Sequence, residues 1–508
     1  MSSKTYDVVI AGMGLAALAC AARLCELGVK RIGLYAPGLG GTPYIAAINF
    51  VLPENPYGDT PEQYYEDMLH SGYDIGNQAL VREMTQNTVN GYELLRRWDV
   101  DFARNPDGTV KLRHVSGHTY PRSLCCTTEL IGVEIVKKML PMLQSRGVDM
   151  HKHCACVRLL SDNGRVCGVT VRHKDGTLEN VYAPAVVAAW GGIGNLFGTS
   201  TYPQDINGTT VAIAREAGAT FVDMEFLEYE PMVVMSPPGA TGEPCPTAML
   251  GEGAYLRNSA GERFMLNVRP QGEAGSPKTL LNSEIWKQVA AGKGSPNGGV
   301  WADLRHIDQN VLKGYPWFYD RLMENGVDPN KALIEVGPMA HSISGGIQVD
   351  TDYQSNVKGL YAVGEACGGV HGACRCAGNA ASQATLSGLL CAQGIARNTD
   401  FSQDVSCVGA PVYPTDQAVR DRVVPQVRAL AAKVLGIYRT GDALQEATDR
   451  LNVILADPEL KKDEESRQIV LSVRLMVEAA ANRQESRGNQ RRIDFPESNP
   501  EFCRQLPL

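Results

Sequence analysis

The 508-residue sequence contains no run of 18 apolar residues, which excludes a membrane-spanning helix of ordinary length. None of its 14 cysteines forms a C-x-x-C pair. Cys154/Cys156 and Cys374/Cys376 are C-x-C and Cys125-Cys126 are adjacent, which is not iron–sulfur or zinc spacing. In a reducing compartment most of these thiols are expected to be buried small hydrophobes. No basic stripe offsets the net charge of −8, so nucleic acid is excluded as an expected partner. There is no internal repeat and no low-complexity tract. The chain enters a strand by residue 7, which leaves no room for a signal peptide and gives a cytoplasmic expectation. What remains is an ordinary globular enzyme composition, 44% hydrophobic and 20% charged, long enough for two to four domains or one large domain with an insertion.

The first 36 residues carry the first positive signal. YDVVIAG reads as a buried parallel strand, GMGLAALACAARLCELG has helical apolar spacing, and KRIGLY is a second strand. Between strand and helix stands Gly12-x-Gly14-x-x-Ala17, the dinucleotide fingerprint in its required context. Gly12 permits the turn, Gly14 admits a pyrophosphate, and Ala17 brings helix against strand, with helix N–H groups facing the phosphates. The second strand ends Leu34-Tyr35-Ala36, without the acidic residue that takes ribose hydroxyls. That absence argues against a simple NAD enzyme and leaves FAD.

A second glycine-rich region spans GPMAHSISGGIQVD (337–350) and GLYAVGEACGGVHGACRCAGNAASQ (359–383). Gly-Gly pairs let backbone approach a flat ligand. His341, Glu365 and Arg375 stand isolated among these glycines, and a lone His and Arg there suggest an anionic substrate beside a cofactor. VYAPAVVAAWGGIGNLF (181–197) reads as another buried strand, followed by a helix and short strand in 208–226. Residues 231–335 turn richer in Pro, Gly and Asn and read as an inserted domain, with a hairpin-like segment expected around Ser259-Ala260-Gly261. Amphipathic patterns through 417–436, 443–456 and 463–483 predict a helical C-terminal region.

Taken in order, these segments resemble the flavoprotein family of fumarate reductase, succinate dehydrogenase and L-aspartate oxidase. The resemblance rests on GMGLAA, AAWGGIGNLF, DINGTTVAIAREAGA, DMEF, GEGAYLRNSAGERFM and AAANRQESRGNQRRIDFPE, and covers nearly the whole chain. It implies an α/β fold: a Rossmann-like FAD-binding domain formed by 1–230 and 336–410, an α+β capping domain at 231–335, and a helical domain at 411–508. Positions implied along FAD are Gly12, Gly14, Leu15, Ala16, Ala17, Gly41, Thr42, Gly191, Gly192, Glu365, Asn379 and Ala381. The stretch 39–50 lacks the His through which the family's membrane-bound members attach FAD, so noncovalent FAD is expected. Ala47-Ile48-Asn49 replaces the family's Gln-Gly-Gly.

The resemblance also implies a substrate site. Reduction of an enoic acid needs a clamped carboxylate, stabilisation of developing charge, and a proton on the face opposite the flavin. His341 and Arg375 match the family pair that grips one carboxylate, a role for which the planar guanidinium is suited. Two other positions differ: Leu250 stands where the family has an Arg before Gly-Glu-Gly, and Glu230 where it has a His before Pro. Leu cannot relay a proton, and a Glu beside a substrate carboxylate is repulsive unless protonated. Glu230 has three readings: an acid in an apolar setting, a partner for a cationic substrate group, or a surface Glu on a strand edge. Glu228 and Tyr229 are lesser candidates. His118 and Arg122 either line the substrate side or belong to a plain loop.

The expected function is an FAD-dependent oxidoreductase acting on a carbon–carbon bond of a small carboxylic acid other than fumarate or succinate, with His341, Arg375 and Glu230 as catalytic residues. The alternatives are amino-acid or amine oxidation resembling L-aspartate oxidase, and a flavoprotein component exchanging electrons with an iron–sulfur, ferredoxin-like partner.

Overall fold

The computed structural model describes residues 3–127, 130–402, 405, 407, 412 and 414–508. Two compact units emerge: Met1–Gly198, Tyr202–Phe226 and Ser342–Leu508 form the first, and Thr199–Thr201 with Leu227–His341 form the second.

The first unit is organised by a five-stranded parallel sheet in the order Leu360–Ala362, Ala185–Ala188, Val8–Ala11, Ile32–Ala36, Asp149–Lys152. Val8–Ala11 and Ala185–Ala188 are buried at every position, as strands covered on both faces must be. Because the sheet collects segments from both ends of the sequence, the unit is necessarily discontinuous. Helix Leu15–Glu26 buries Leu15 through Ala22. It lies so close to helix Asn379–Asn398 that a Cβ on Gly388 would stand 2.4 Å from the Ala16 carbonyl oxygen. A second sheet of Ser3–Thr5, Leu178–Tyr182, Arg165–His173 and Cys154–Asp162 flanks this core.

The C-terminal helices run Gln417–Val434, Gly441–Ala456 and Glu464–Asn482, each with a side-chain N-cap from Asp416, Thr440 or Asp463. They belong to the first unit, fastened by Ser472 Oγ donating to Gly208 O at 2.8 Å and Gln468 Nε2 to Val157 O at 3.0 Å. Most cysteines are buried thiols, as the sequence implied. Cys167 and Cys407 depart from that expectation and form a disulfide, because strand Arg165–His173 meets the segment after helix Asn379–Asn398 there.

The second unit carries a four-stranded sheet in the order Leu227–Val234, Ile334–Ile343, Val300–Asp303, Tyr255–Arg257. Its core includes Met232, Val234, Leu250, Leu256, Ala302 and Val336, covered by Leu281 and Ile285 of helix Lys278–Ala290. The expected turn forms at 259–261, with Asn258 N–H donating to Glu262 O at 3.1 Å and Gly261 N–H to Asn258 O at 2.9 Å, but no second strand follows it. Strand Tyr255–Arg257 pairs instead with Val300–Asp303, because Asn258 Oδ1 collects the N–H groups of Ala260 and Glu262 and sends the chain into a short helix, Phe264–Asn267.

Candidate functional site

In the first unit the fingerprint turn is sterically exact about glycine at one position. Gly12 has φ +141°, and a Cβ there would lie 2.1 Å from Ala189 O. At Gly14 a Cβ would meet Thr42 Oγ1 at 3.1 Å. That hydroxyl accepts the Leu15 N–H at 2.8 Å, so Thr42 satisfies one of the orphan donors of the helix N-terminus while Gly14 caps it without a side chain. Ala16 and Ala17 are buried and Gly41 is exposed. Tyr35, at the position of the missing acid, is buried and stacked on His151 at 4.3 Å.

The second glycine pair closes on Glu365. A Cβ on Gly192 would lie 2.5 Å from the Glu365 carboxyl carbon. Glu365 Oε1 accepts from Tyr202 O–H at 2.5 Å and from Ile343 N–H at 2.9 Å. Gly191, Gly192, Met224, Gly345, Gly346 and Glu365 line a small cavity. Beyond it, Asn379 Oδ1 accepts from Asn49 Nδ2 at 2.7 Å and Tyr64 O–H at 2.8 Å, and Asn49 N–H donates to Ser382 Oγ at 2.9 Å. Ala381 is buried in the same helix turn. Asn49 Oδ1, Asn379 Nδ2 and Ser344 Oγ are buried without a partner, a cost that a ligand would remove. Glycine cradles that no Cβ could enter, together with these orphaned polar atoms, fit a flat, polar-edged cofactor such as FAD.

His118 and Arg122 form a buried network. Arg122 is fully enclosed, donating to Asp59 Oδ2 at 2.9 Å and Oδ1 at 2.7 Å, pairing with Asp67 at 2.9 Å, and lying 4.4 Å over the Tyr64 ring. Its Nη1 donates to His118 Nδ1 at 3.2 Å, which leaves Nε2–H to donate to Ala377 O at 3.0 Å. Burial and the Arg122 guanidinium push His118 down to about 4. These groups hold the wall at Ala377; their chemistry is spent on one another. Arg375, half-buried nearby in sequence, donates over longer distances, Nη2 to Ser342 Oγ at 3.3 Å and Nη1 to Cys376 O at 3.4 Å.

In the second unit His341 Nδ1 bonds Thr201 Oγ1 at 2.8 Å, which fixes the ring plane. Glu230 is 7% exposed, so it is no surface residue. In place of the apolar setting of the first of its three readings stands an ammonium: its Oε2 is ion-paired with Lys278 Nζ. Leu250 sits in the apolar core. Reading the sequence does not single out Lys278, Thr201 or Tyr202. Pro277-Lys278 opening a helix is the available signal for the first, and Thr201-Tyr202 after a glycine-ended strand for the others.

The chain matches the FAD binding domain family over residues 7–381. It is 28% identical to one component of the fumarate reductase (CoM/CoB) of Methanothermobacter marburgensis, over 100% of this chain and 98% of that protein. It is 30% identical to L-aspartate oxidase of Streptomyces coelicolor, over 96% and 88%. Among solved structures, Mycobacterium smegmatis Sdh1 in complex with UQ1 matches with a TM-score of 0.87 and 26% identity, covering 100% of this chain and 92% of that one.

Proposed function

This chain belongs to the FAD binding domain family, as an FAD-dependent oxidoreductase of the fumarate reductase and L-aspartate oxidase group, and on that premise we propose that it acts on a carbon–carbon bond of a small carboxylic acid other than fumarate or succinate. The observation that carries this reading is a half-retained site. On the family resemblance, His341 and Arg375 match the pair that grips one carboxylate, while Leu250 and Glu230 stand where the family has its second Arg and a His.

Gly12, Gly14, Ala16 and Thr42 would hold the pyrophosphate, and Gly191, Gly192, Glu365 and Asn379 the remainder of FAD. When bound, FAD supplies two-electron hydride chemistry. Arg375 binds the substrate carboxylate through two parallel N–H donors. His341 adds a donor at Nε2, its ring held at Nδ1 by Thr201. Glu230, a carboxylate where the family has a His, offers no donor of its own to a second substrate carboxylate, and its charge is offset by Lys278. Electrons pass to or from an external, ferredoxin-like carrier, since the sequence has no cluster-ligand spacing. Among the described residues no helix is long and apolar enough to cross a membrane.

The experiment is a panel of enoates and saturated acids, with reduction or reoxidation of the flavin followed by absorbance. Arg375→Ala is expected to lower kcat/KM by roughly 100-fold or more on the best acid. Full activity in that variant sinks the clamp. A second reading, amino-acid oxidation, draws on the 30% identity to an L-aspartate oxidase, and release of ammonia from an amino-acid panel would select it.

A further inference from the structure

Strand Ile32–Ala36 ends without the acid that takes ribose hydroxyls in a dinucleotide fold, and Tyr35 does not stand in for it. Tyr35 is buried and stacked on His151. Tyr6 gives its proton to Asp149 Oδ2 at 2.5 Å, so the Tyr35 hydroxyl donates to Tyr6 at 3.2 Å. Asp149 is also engaged by His151 at 2.9 Å and by Lys4 at 3.6 Å. The polar groups on this face of the strand satisfy one another, so a ribose must find its acceptor elsewhere.

A carboxylate reaches the same place from far along the chain. The loop after the strand, 37–42, runs beside the pyrophosphate turn: a Cβ on Gly14 would lie 3.1 Å from Thr42 Oγ1 and 3.5 Å from Leu39 O. Half-buried Asp205, 165 residues beyond Gly40, enters this loop and accepts the Gly40 N–H at Oδ2, at 3.1 Å. A Cβ on Gly38 would stand 2.2 Å from the same oxygen. Gly38 has no left-handed φ, so its backbone does not call for glycine; the approach of Asp205 does. The next residue, Ile206, is buried, its Cδ1 3.4 Å from a Cβ on Gly40 and 3.2 Å from one on Gly191. That packing fixes Asp205 between the two glycine segments.

A neutral acceptor would serve one N–H equally well, so the loop alone gives no reason for a carboxylate. Among the described residues no cation pairs with Asp205, and its Oδ1 has no hydrogen-bond partner. Such a charge beside a turn built for a diphosphate is repulsive unless neutral donors stand between them, and vicinal ribose hydroxyls are donors of that kind. Glu365, the carboxylate at the second glycine pair, is already engaged by Tyr202 and Ile343.

We propose that Asp205 is the ribose-binding acid of this flavoprotein, supplied from the segment before helix Thr209–Glu216 in place of the acid that the strand lacks. Its Oδ2 stays on the Gly40 N–H, and Oδ1 accepts from the adenosine ribose hydroxyls of FAD. Gly38 is the clearance that lets the carboxylate in. The assignment lies wholly within the first unit and does not depend on which acid the enzyme acts on.

The test reads FAD affinity rather than turnover. The full-length chain is loaded with FAD, or with an analogue carrying 2′,3′-dideoxyadenosine, and the dissociation constant is taken from the return of flavin fluorescence on serial dilution. Wild type is expected to hold FAD about tenfold or more tighter than the analogue, the loss of charge-assisted hydrogen bonds. Asp205→Asn keeps an acceptor for the Gly40 N–H. It is expected to weaken FAD about tenfold and to leave the analogue within about threefold of wild type, so that the two flavins bind alike. A preference for FAD in Asp205→Asn as large as in wild type overturns the assignment. Equal weakening of both flavins also overturns it, since Asp205 would then only support the loop. Equal affinity of the wild type for the two flavins overturns it without any variant.

Discussion

Two buried titratable side chains of the first unit pull stability in opposite directions with pH. His118 is pushed down to about 4 by burial and Arg122. The unfolded chain therefore binds a proton between about pH 6.5 and 4 that the folded one refuses, and stability falls as pH drops through that window. Asp223 is the reverse. Fully buried, beside Glu225, and with Oδ1 lacking a partner, it is raised to about 7. Its protonated form favours the folded state, and that contribution is lost as pH rises from about 4 to 7. Urea unfolding of His118→Gln is expected to lose the acid-side slope, and Asp223→Asn to gain stability relative to wild type at about pH 8. Equal pH profiles for wild type and both variants would refute the pair of assignments. Neither behaviour is legible in the sequence, where His118 reads as a loop or substrate-side residue. The spacing of His118 and Arg122 does not reveal that Asp59 and Asp67, far upstream in the chain, complete the cluster.

Single elements are more readable. The amphipathic stretches 417–436, 443–456 and 463–483 return as Gln417–Val434, Gly441–Ala456 and Glu464–Asn482, because cap residues and apolar period agree within each. The segment 251–265 keeps its turn at 259–261 but gains no second strand beside the first. Its strand pairs with Val300–Asp303, far downstream, and no local pattern encodes that pairing. Asp463 concentrates the element-level energetics of the C-terminal helices. It caps Glu464–Asn482 through Ser466 N–H at 2.9 Å, accepts from Asp416 N–H at 3.0 Å, and pairs with Arg420 at 2.8 Å. Asp463→Ala is expected to cost about 2–3 kcal/mol, the cap loss of roughly 1 plus a buried unpaired donor. A change in the urea midpoint corresponding to less than about 0.5 kcal/mol would show that the three bonds are dispensable.

For the molecule as a whole, the fingerprint glycines and the second glycine-rich region point to the fold class correctly, since both report backbone approach to a ligand. Their meeting is visible in the central sheet, where Val8–Ala11 and Leu360–Ala362 flank Ala185–Ala188. The Lys278 partner of Glu230 stays hidden because nothing in either local sequence specifies the other. The Cys167–Cys407 bond is likewise illegible, as connectivity among 14 cysteines cannot be deduced from spacing. Its ends are 240 residues apart, and chain entropy alone assigns a loop of that length about 5 kcal/mol. Dithiothreitol is expected to lower the thermal midpoint by several degrees, and Cys407→Ser to abolish the difference. An identical midpoint with and without reductant would remove the bond from the stability account.

That bond also gives the protein a covalent ring. The closed segment from Cys167 to Cys407 contains every residue of the second unit, from Thr199 to His341. A protease that cuts once inside the ring severs the chain without releasing a fragment, so nicked protein stays at full mass on a non-reducing gel and separates into two bands only when thiol is added.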